Sequence, residues 1–151
     1  MPLAPTYSLN DGQDVPRLGL GTYALRGEGG VAAMVTAIET GYRLLDTAVN
    51  YENEPEVGEA VRRSGLPREQ LFVTSKIPGR HHAYAEAVTS TEESLRRLGL
   101  DYLDLHLIHW PNPSRGLFVE AWRALVHLRA RGLVRSIGVS NFTEAQLTRI
   151  T

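Results

Sequence analysis

Cysteine is absent from the 151 residues. That absence excludes disulfides, thiolate nucleophiles and cysteine-ligated zinc together. It fits a reducing compartment, so a cytoplasmic protein is expected. Long apolar runs are missing as well: none approaches the roughly 20 residues that a membrane-spanning helix needs. The opening stretch, MPLAPTYSLNDGQ, lacks the basic and apolar regions of a secretory signal. Charge of one sign is not in excess either, with 16 basic against 17 acidic residues and a net charge of -1. Without a basic block or an aromatic-interleaved basic patch, no nucleic-acid partner is expected. Lysine is nearly absent. Fifteen of the basic residues are arginine, a bias that matches GC-rich coding, and Lys76 is the single lysine. A compact ammonium kept once in an otherwise all-arginine chain marks Lys76 as a candidate for function.

Short apolar runs alternate with helical periods. GYRLLDTA, QLFVTSKI, LDLHLIHW and VRSIGVSN each have the length of a buried parallel strand. Between them, Val31, Met34, Val35 and Ile38 recur at i, i+3, i+4 and i+7, as do Phe118, Ala121, Trp122 and Leu125. Gly41, Gly65, Gly99 and Gly132 stand where these helices should stop. Asn53 to Glu56 and Thr143 to Gln146 have the spacing of capping boxes. TYSLN and QDVPRLGLGTY flank an Asn10-Asp11-Gly12 turn signal and read as an N-terminal β-hairpin.

Asp46, Lys76, His109 and Ser140 each close a strand-like run, at successive separations of 30, 33 and 31 residues. That period is one strand, crossover and helix, so the fold class is α/β with a parallel sheet. With Gly19 to Thr22 as a first strand, five strands are expected. A closed eight-stranded barrel takes about 250 residues. The chain therefore matches about the first five βα units of a (β/α)8 TIM-barrel type, as a single domain over residues 1–151. GLGTYA also satisfies a dinucleotide fingerprint at Gly19, Gly21 and Ala24. Gly27, Gly29 and Gly30 are expected to delay the helix that a Rossmann turn must open at once. These glycines more naturally let backbone approach a ligand at a barrel mouth.

In a parallel α/β fold, ligands sit beyond the carboxyl ends of the strands. Those ends carry Thr22 and Tyr23, then Asp46, Lys76, His109, and Ser140 with Asn141; Tyr51 follows in the loop after the second strand. Singly, each has an ordinary structural use as a cap, a solvated strand end or a packing residue. Together they form a coherent acid set. A free phenol titrates near pH ~10. A neighbouring ammonium stabilises the phenolate, and a carboxylate fixes that ammonium in place. His109 could donate a hydrogen bond to a carbonyl. Carbonyl reduction is the reaction this set suits best. His106, one residue off the side shared by Leu105, Leu107 and His109, should face the other way and be structural. His81 and His82 are adjacent loop residues with no cysteine or carboxylate cluster near them, so no metal site is expected.

GLGTY, GYRLLDTAVNYENE, LFVTSK, SLRRLGLDYLDLHLIHWP and RSIGVSNF follow one another in an order and spacing that resemble the aldo-keto reductase family. The resemblance runs from about Val15 to the end, and is strongest to a bacterial branch related to 2,5-diketogluconate reductase. It implies a barrel that binds NADPH in extended form, with NADH as the alternative, and reduces a small aldehyde or ketone to an alcohol. By motif, Tyr51 is the general acid, Asp46 and Lys76 tune it, and His109 orients the carbonyl, with Trp110 also at the substrate. Gly21, Thr22, Tyr23 and Asp46 would lie beside the nicotinamide, and Ser140 and Asn141 would bind its carboxamide.

Two departures temper the resemblance. Where many relatives place an aromatic after the third strand, IPGRHHAY stands, so that Arg80 or His81 would favour polar or anionic carbonyls. The family's later segments, which sandwich the nicotinamide and grip the adenosine 2'-phosphate, do not occur in these residues. The expectation is the N-terminal part of a longer reductase, binding cofactor poorly alone unless chains pair through exposed strand edges. The competing expectations are a non-catalytic barrel serving as cofactor sensor or scaffold, and an inactive truncated product.

Overall fold

The computed structural model describes residues 5–150. The first four residues and Thr151, which belong to the single-domain expectation, lie outside them. The N-terminal hairpin pairs β1 (Thr6–Ser8) antiparallel with β2 (Asp14–Pro16), Tyr7 opposite Val15. Its turn passes through Gly12 at φ +86, a conformation that glycine reaches without steric cost. The run QDVPRLGLGTY is divided rather than continuous, because β3 (Gly19–Gly21) leaves the hairpin and joins the main sheet.

That sheet contains β3, β4 (Leu44–Asp46), β5 (Phe72–Ile77), β6 (Leu103–Ile108) and β7 (Val134–Val139), side by side in chain order and all parallel. The crossovers carry α1 (Gly27–Glu39), α2 (Glu54–Arg63), α3 (Tyr84–Leu98) and α4 (Phe118–Ala130), and a single-turn α5 (Glu144–Leu147) follows β7. Gly41, Gly65, Gly99 and Gly132 all take positive φ just beyond helix ends, as their spacing predicts. Among the described residues no helix is long and apolar enough to cross a membrane.

Register sorts the side chains. Gly21 lies opposite Asp46, Asp46 opposite Thr74, Thr74 opposite Leu105 and Leu105 opposite Ser136. These residues share one face, and Lys76, two positions after Thr74, joins them. The alternate residues Leu45, Val73, Ile77 and Ile108 are fully buried with Met34, Ile38, Val57, Leu98, Leu125 and Leu128 of the helices. Burying each such side chain stabilises by about 1.5–3 kcal/mol. Leu105 and Leu107 on the first face stay partly exposed. The sheet-to-helix layer is therefore what holds the strand ends in register.

Two local expectations fail for the same reason, a long-range polar contact. Helix α1 opens at Gly27 instead of after the glycine run, because Gly27 turns the chain at φ +60 and its N–H donates to Glu56 Oε1 at 3.0 Å. Residues 22–26 still separate strand from helix, unlike an immediate strand-to-helix phosphate turn. The Asn53 capping box does not form. Asn53 is buried; its Oδ1 accepts from Thr47 Oγ1 at 2.7 Å, and its Nδ2 donates to the carbonyls of Thr22 and Leu25 at 2.6 and 3.0 Å. The Thr143 to Gln146 box is formed in both directions.

Helices α2 and α3 meet closely at Gly58, where a Cβ would stand 2.0 Å from the Leu98 carbonyl oxygen. In a free helix Gly→Ala gains about 1 kcal/mol. Here the sign reverses: Gly58→Ala is expected to destabilise by about 1–3 kcal/mol through overpacking against rigid backbone, read as a lower urea midpoint.

Candidate active site

Lysine seldom loses its water unless a partner replaces it. Lys76 is 7% exposed and has three partners. Its Nζ donates to Asp46 Oδ1 at 2.8 Å, to the Thr47 carbonyl at 2.9 Å and to the Tyr51 hydroxyl oxygen at 3.4 Å. Parallel register produces this meeting. Asp46 ends β4 opposite Thr74, and Lys76 lies one pleat further along β5, so both reach the same edge. All three of an ammonium's donors are thereby used.

Tyr51 is delivered by the loop. After extended Ala48, Val49–Tyr51 make one 3-10 turn, and Glu52 at φ +53 redirects the chain to Asn53. The Asn53 amide then ties this loop to the one after β3. The Tyr51 carbonyl accepts from Arg26 Nη2 at 2.9 Å. The Tyr51 ring meets Tyr23 and His109 edge-on, with centroids 5.2 and 5.9 Å apart. Tyr23 is 70% exposed and Trp110 54% exposed, so both offer ring surface to a ligand.

His109 follows β6 and donates its N–H to the Ile77 carbonyl at 3.1 Å, extending the ladder past the strand. Burial, then the nearby Lys76 charge, push its imidazole below the usual histidine range, against an opposing pull from Asp46. That shift favours the neutral ring, in which one nitrogen is available to donate. Ser140 continues β7 through a 2.9 Å bond to the Ile108 carbonyl. Asn141 adopts φ +63, and its Nδ2 donates to the His109 carbonyl and to Ser140 Oγ, each at 3.0 Å.

The strand ends thus bring together Asp46, Tyr51, Lys76 and His109, with Tyr23, Trp110, Ser140 and Asn141 around them. Gly21 lies opposite Asp46 with open space above its Cα. Thr22 differs from expectation. It has no exposed surface, and both its N–H and its hydroxyl donate to the Asp46 carbonyl at 3.0 Å. It braces the strand end.

The other histidines stay outside this group. His106 is fully buried on the helix side, with Nε2 3.1 Å from Thr91 Oγ1. His81 Nδ1 bonds Ser90 Oγ at 2.9 Å, and His82 is buried with neither ring nitrogen bonded. Asn53 was legible only as a cap, because its partners lie up to 31 residues away. Asn50, whose Oδ1 accepts from Arg80 Nη1 at 2.5 Å, carried no sequence signal at all.

A parallel sheet whose strand ends gather a carboxylate, an ammonium, a phenol and an imidazole defines a barrel-type α/β protein with a cluster of titratable groups at its carboxyl-end rim. The chain belongs to the aldo/keto reductase family, whose family model matches residues 17–151. It is 65% identical over 147 residues to 2,5-diketo-D-gluconic acid reductase B of Corynebacterium sp. (strain SHS752001), covering 97% of this chain and 53% of that protein. The crystal structure of an aldo/keto reductase from Brucella melitensis matches with a TM-score of 0.93 at 45% identity, covering 97% of this chain and 57% of that one. A Bombyx mori aldo-keto reductase solved in complex with NADP matches with a TM-score of 0.86 at 40% identity, over 98% and 54% of the two chains. The chain spans about half the length of the relatives it matches. Its five parallel strands are part of a (β/α)8 TIM-barrel architecture.

Burial drives the imidazoles of His82 and His106 down to about 4. Unfolded histidine takes up its proton near pH ~6.5. The folded state therefore binds fewer protons between these values, and stability is complete above pH ~6.5 and lost as pH falls towards 4. The expected loss is about 3 kcal/mol per histidine across that window. Urea titrations at pH 7 and pH 4.5 should show a smaller difference for His106→Gln than for the unsubstituted protein.

Proposed function

We propose that the protein reduces aldehydes and ketones with NADPH, Tyr51 giving the proton. The observation that carries this reading is the Lys76 ammonium, within 2.8 Å of Asp46 Oδ1 and 3.4 Å of the Tyr51 hydroxyl. A proton leaving Tyr51 for a carbonyl oxygen leaves a phenolate beside that ammonium. The ammonium is already in position, so no solvent or side chain has to reorganise as the charge develops. Asp46 and the Thr47 carbonyl hold it there. Neutral His109, ring to ring with Tyr51, donates a hydrogen bond to the same oxygen and sets the carbonyl's orientation.

The cofactor part of the reading rests on family membership, on the NADP complex of the Bombyx mori relative, and on the free hydrogen-bonding groups at β7. Asn141 spends both amide protons on His109 and Ser140, and its Oδ1 has no partner among the described residues. Ser140 accepts from Asn141 and keeps its own hydroxyl proton to donate. One free acceptor next to one free donor matches the amide and the carbonyl of a primary carboxamide such as that of nicotinamide. When bound there, NADPH would supply the hydride. Tyr23 would flank the ring, and Trp110 the substrate. The name of the Corynebacterium relative, a reductase of a diketo sugar acid, supports a small polar carbonyl compound as substrate.

We further propose that these residues form the N-terminal part of one barrel domain in a cytoplasmic enzyme. Strands β3 and β7 are the two edges of the sheet, and their unpaired backbone groups are where chains of this length would associate.

The test follows NADPH absorbance against a panel of aldehydes, using the protein at its full natural length. Tyr51→Phe is expected to lower kcat by about 100-fold or more, with NADPH affinity, read by fluorescence, retained. Unchanged turnover in that variant would remove Tyr51 from the acid role. Lys76→Met should lose activity on a similar scale, since it strips the phenolate of its counter-charge and leaves Asp46 unpaired.

A further inference from the structure

Arg80 lies four residues after Lys76, in the 3-10 turn Gly79–His81 that follows β5. Its Nη1 donates to Asn50 Oδ1 at 2.5 Å, and Asn50 directly precedes Tyr51. The arginine head is thereby tied to the loop that carries the proposed acid. The turn itself is braced. Arg115 Nη1 donates to the Arg80 and Gly79 carbonyls at 2.9 and 3.3 Å, and Asn112 fills the space where a Cβ on Gly79 would stand.

Many of the chain's arginines are neutralised by a carboxylate. Arg26, Arg63, Arg68, Arg97 and Arg131 each pair with a carboxylate. Among the described residues, Arg80 and Arg115 pair with none. The acids nearest in sequence to Tyr51 are already engaged, Glu52 by Arg26, Glu54 by Arg97 and Asp46 by Lys76. Asn50 is uncharged, so it orients the Arg80 guanidinium without neutralising it. A guanidinium has five N–H donors in a planar fork. The Asn50 bond is the one polar contact of the Arg80 side chain among the described residues, which leaves donors for a bidentate carboxylate. His81, the next basic side chain of this loop, is bonded to Ser90 instead, and burial followed by Arg80's charge pushes its imidazole below the usual histidine range.

We propose that Arg80, positioned by Asn50, binds the carboxylate of an anionic carbonyl substrate at the rim beside Tyr51. The proposal rests on the reductase reading for the identity of the reacting group, and on Arg80 alone for the preference for an acid. Arg115 serves as the brace of its loop.

The test compares 4-formylbenzoate with its methyl ester, two aldehydes that differ in one negative charge, using the protein at its full natural length. Arg80→Gln is expected to lower the ratio of kcat/KM for the acid to kcat/KM for the ester about tenfold, the scale of a charge-assisted hydrogen bond, with the change carried by KM. Asn50→Asp keeps the arginine and sets a carboxylate against it, and should lower the same ratio. Added salt should raise KM for the acid and not for the ester. A ratio unchanged by Arg80→Gln overturns the proposal, and so does an equal loss on both substrates. Calorimetric binding of 4-formylbenzoate without cofactor separates the two readings. If neither aldehyde is turned over but Arg80→Gln weakens this binding about tenfold, the anion site stands and the reductase reading falls. Equal binding by both forms removes the site, whatever the turnover.

Discussion

A lysine ammonium with almost no water around it persists only where fixed acceptors replace that water. Lys76 meets this condition at one point, the junction of the Asp46 carboxylate, the Thr47 carbonyl and the Tyr51 hydroxyl. Much of the surrounding structure serves that junction. Thr22 bonds the Asp46 carbonyl twice, Asn53 bridges the loops after β3 and β4, and the 3-10 turn before Glu52 brings the phenol to within reach. Removing one member would leave a buried polar group without a partner, which costs more than the net worth of the bond it made. The same arrangement keeps a positive charge ready where a phenolate would form, so the contact that is costly to assemble is the one the chemistry uses.

The mechanical support is on the opposite face. The residues that alternate with the site residues, Leu45, Val73 and Ile108 among them, pack under the helices and fix the strands. Buried polar contacts run through this layer too: Glu54 accepts from Ser75 Oγ and Arg97 Nε, each at 2.7 Å, and Asp104 accepts from the Val73 N–H and Arg68. A two-residue period thus divides the labour, one face for packing and one for the site. The rim stays polar and open, with rings at Tyr23 and Trp110 and an unneutralised guanidinium at Arg80.

Much of this was legible before any coordinates. The strand-like runs, two helical periods and the glycine stops located the strands of the main sheet, helices α1 and α4 and the ends of α2 and α3, because each of those signals is local to some ten residues. A repeat of about thirty residues placed Asp46, Lys76, His109 and Ser140 at corresponding strand ends, and register then made them neighbours. What was not legible were the uses of short polar side chains. Asn53 looked like a cap and is a loop staple; Thr22 bonds back to the Asp46 carbonyl; Arg80 bonds Asn50 where His81 bonds Ser90.

The sequence by itself determined the order of strands and helices, the parallel sheet and the set of ionisable groups at the strand ends, since periodicity and spacing act through the backbone and the hydrophobic effect. Tertiary structure alone decided which polar atoms meet. Lys76 to Tyr51, Asn53 to Thr22 and Arg80 to Asn50 each join residues 25 to 31 positions apart. Such contacts depend on how the crossovers pack, and hydrogen bonds are short and directional, so a displacement of an ångström separates a partner from a bystander.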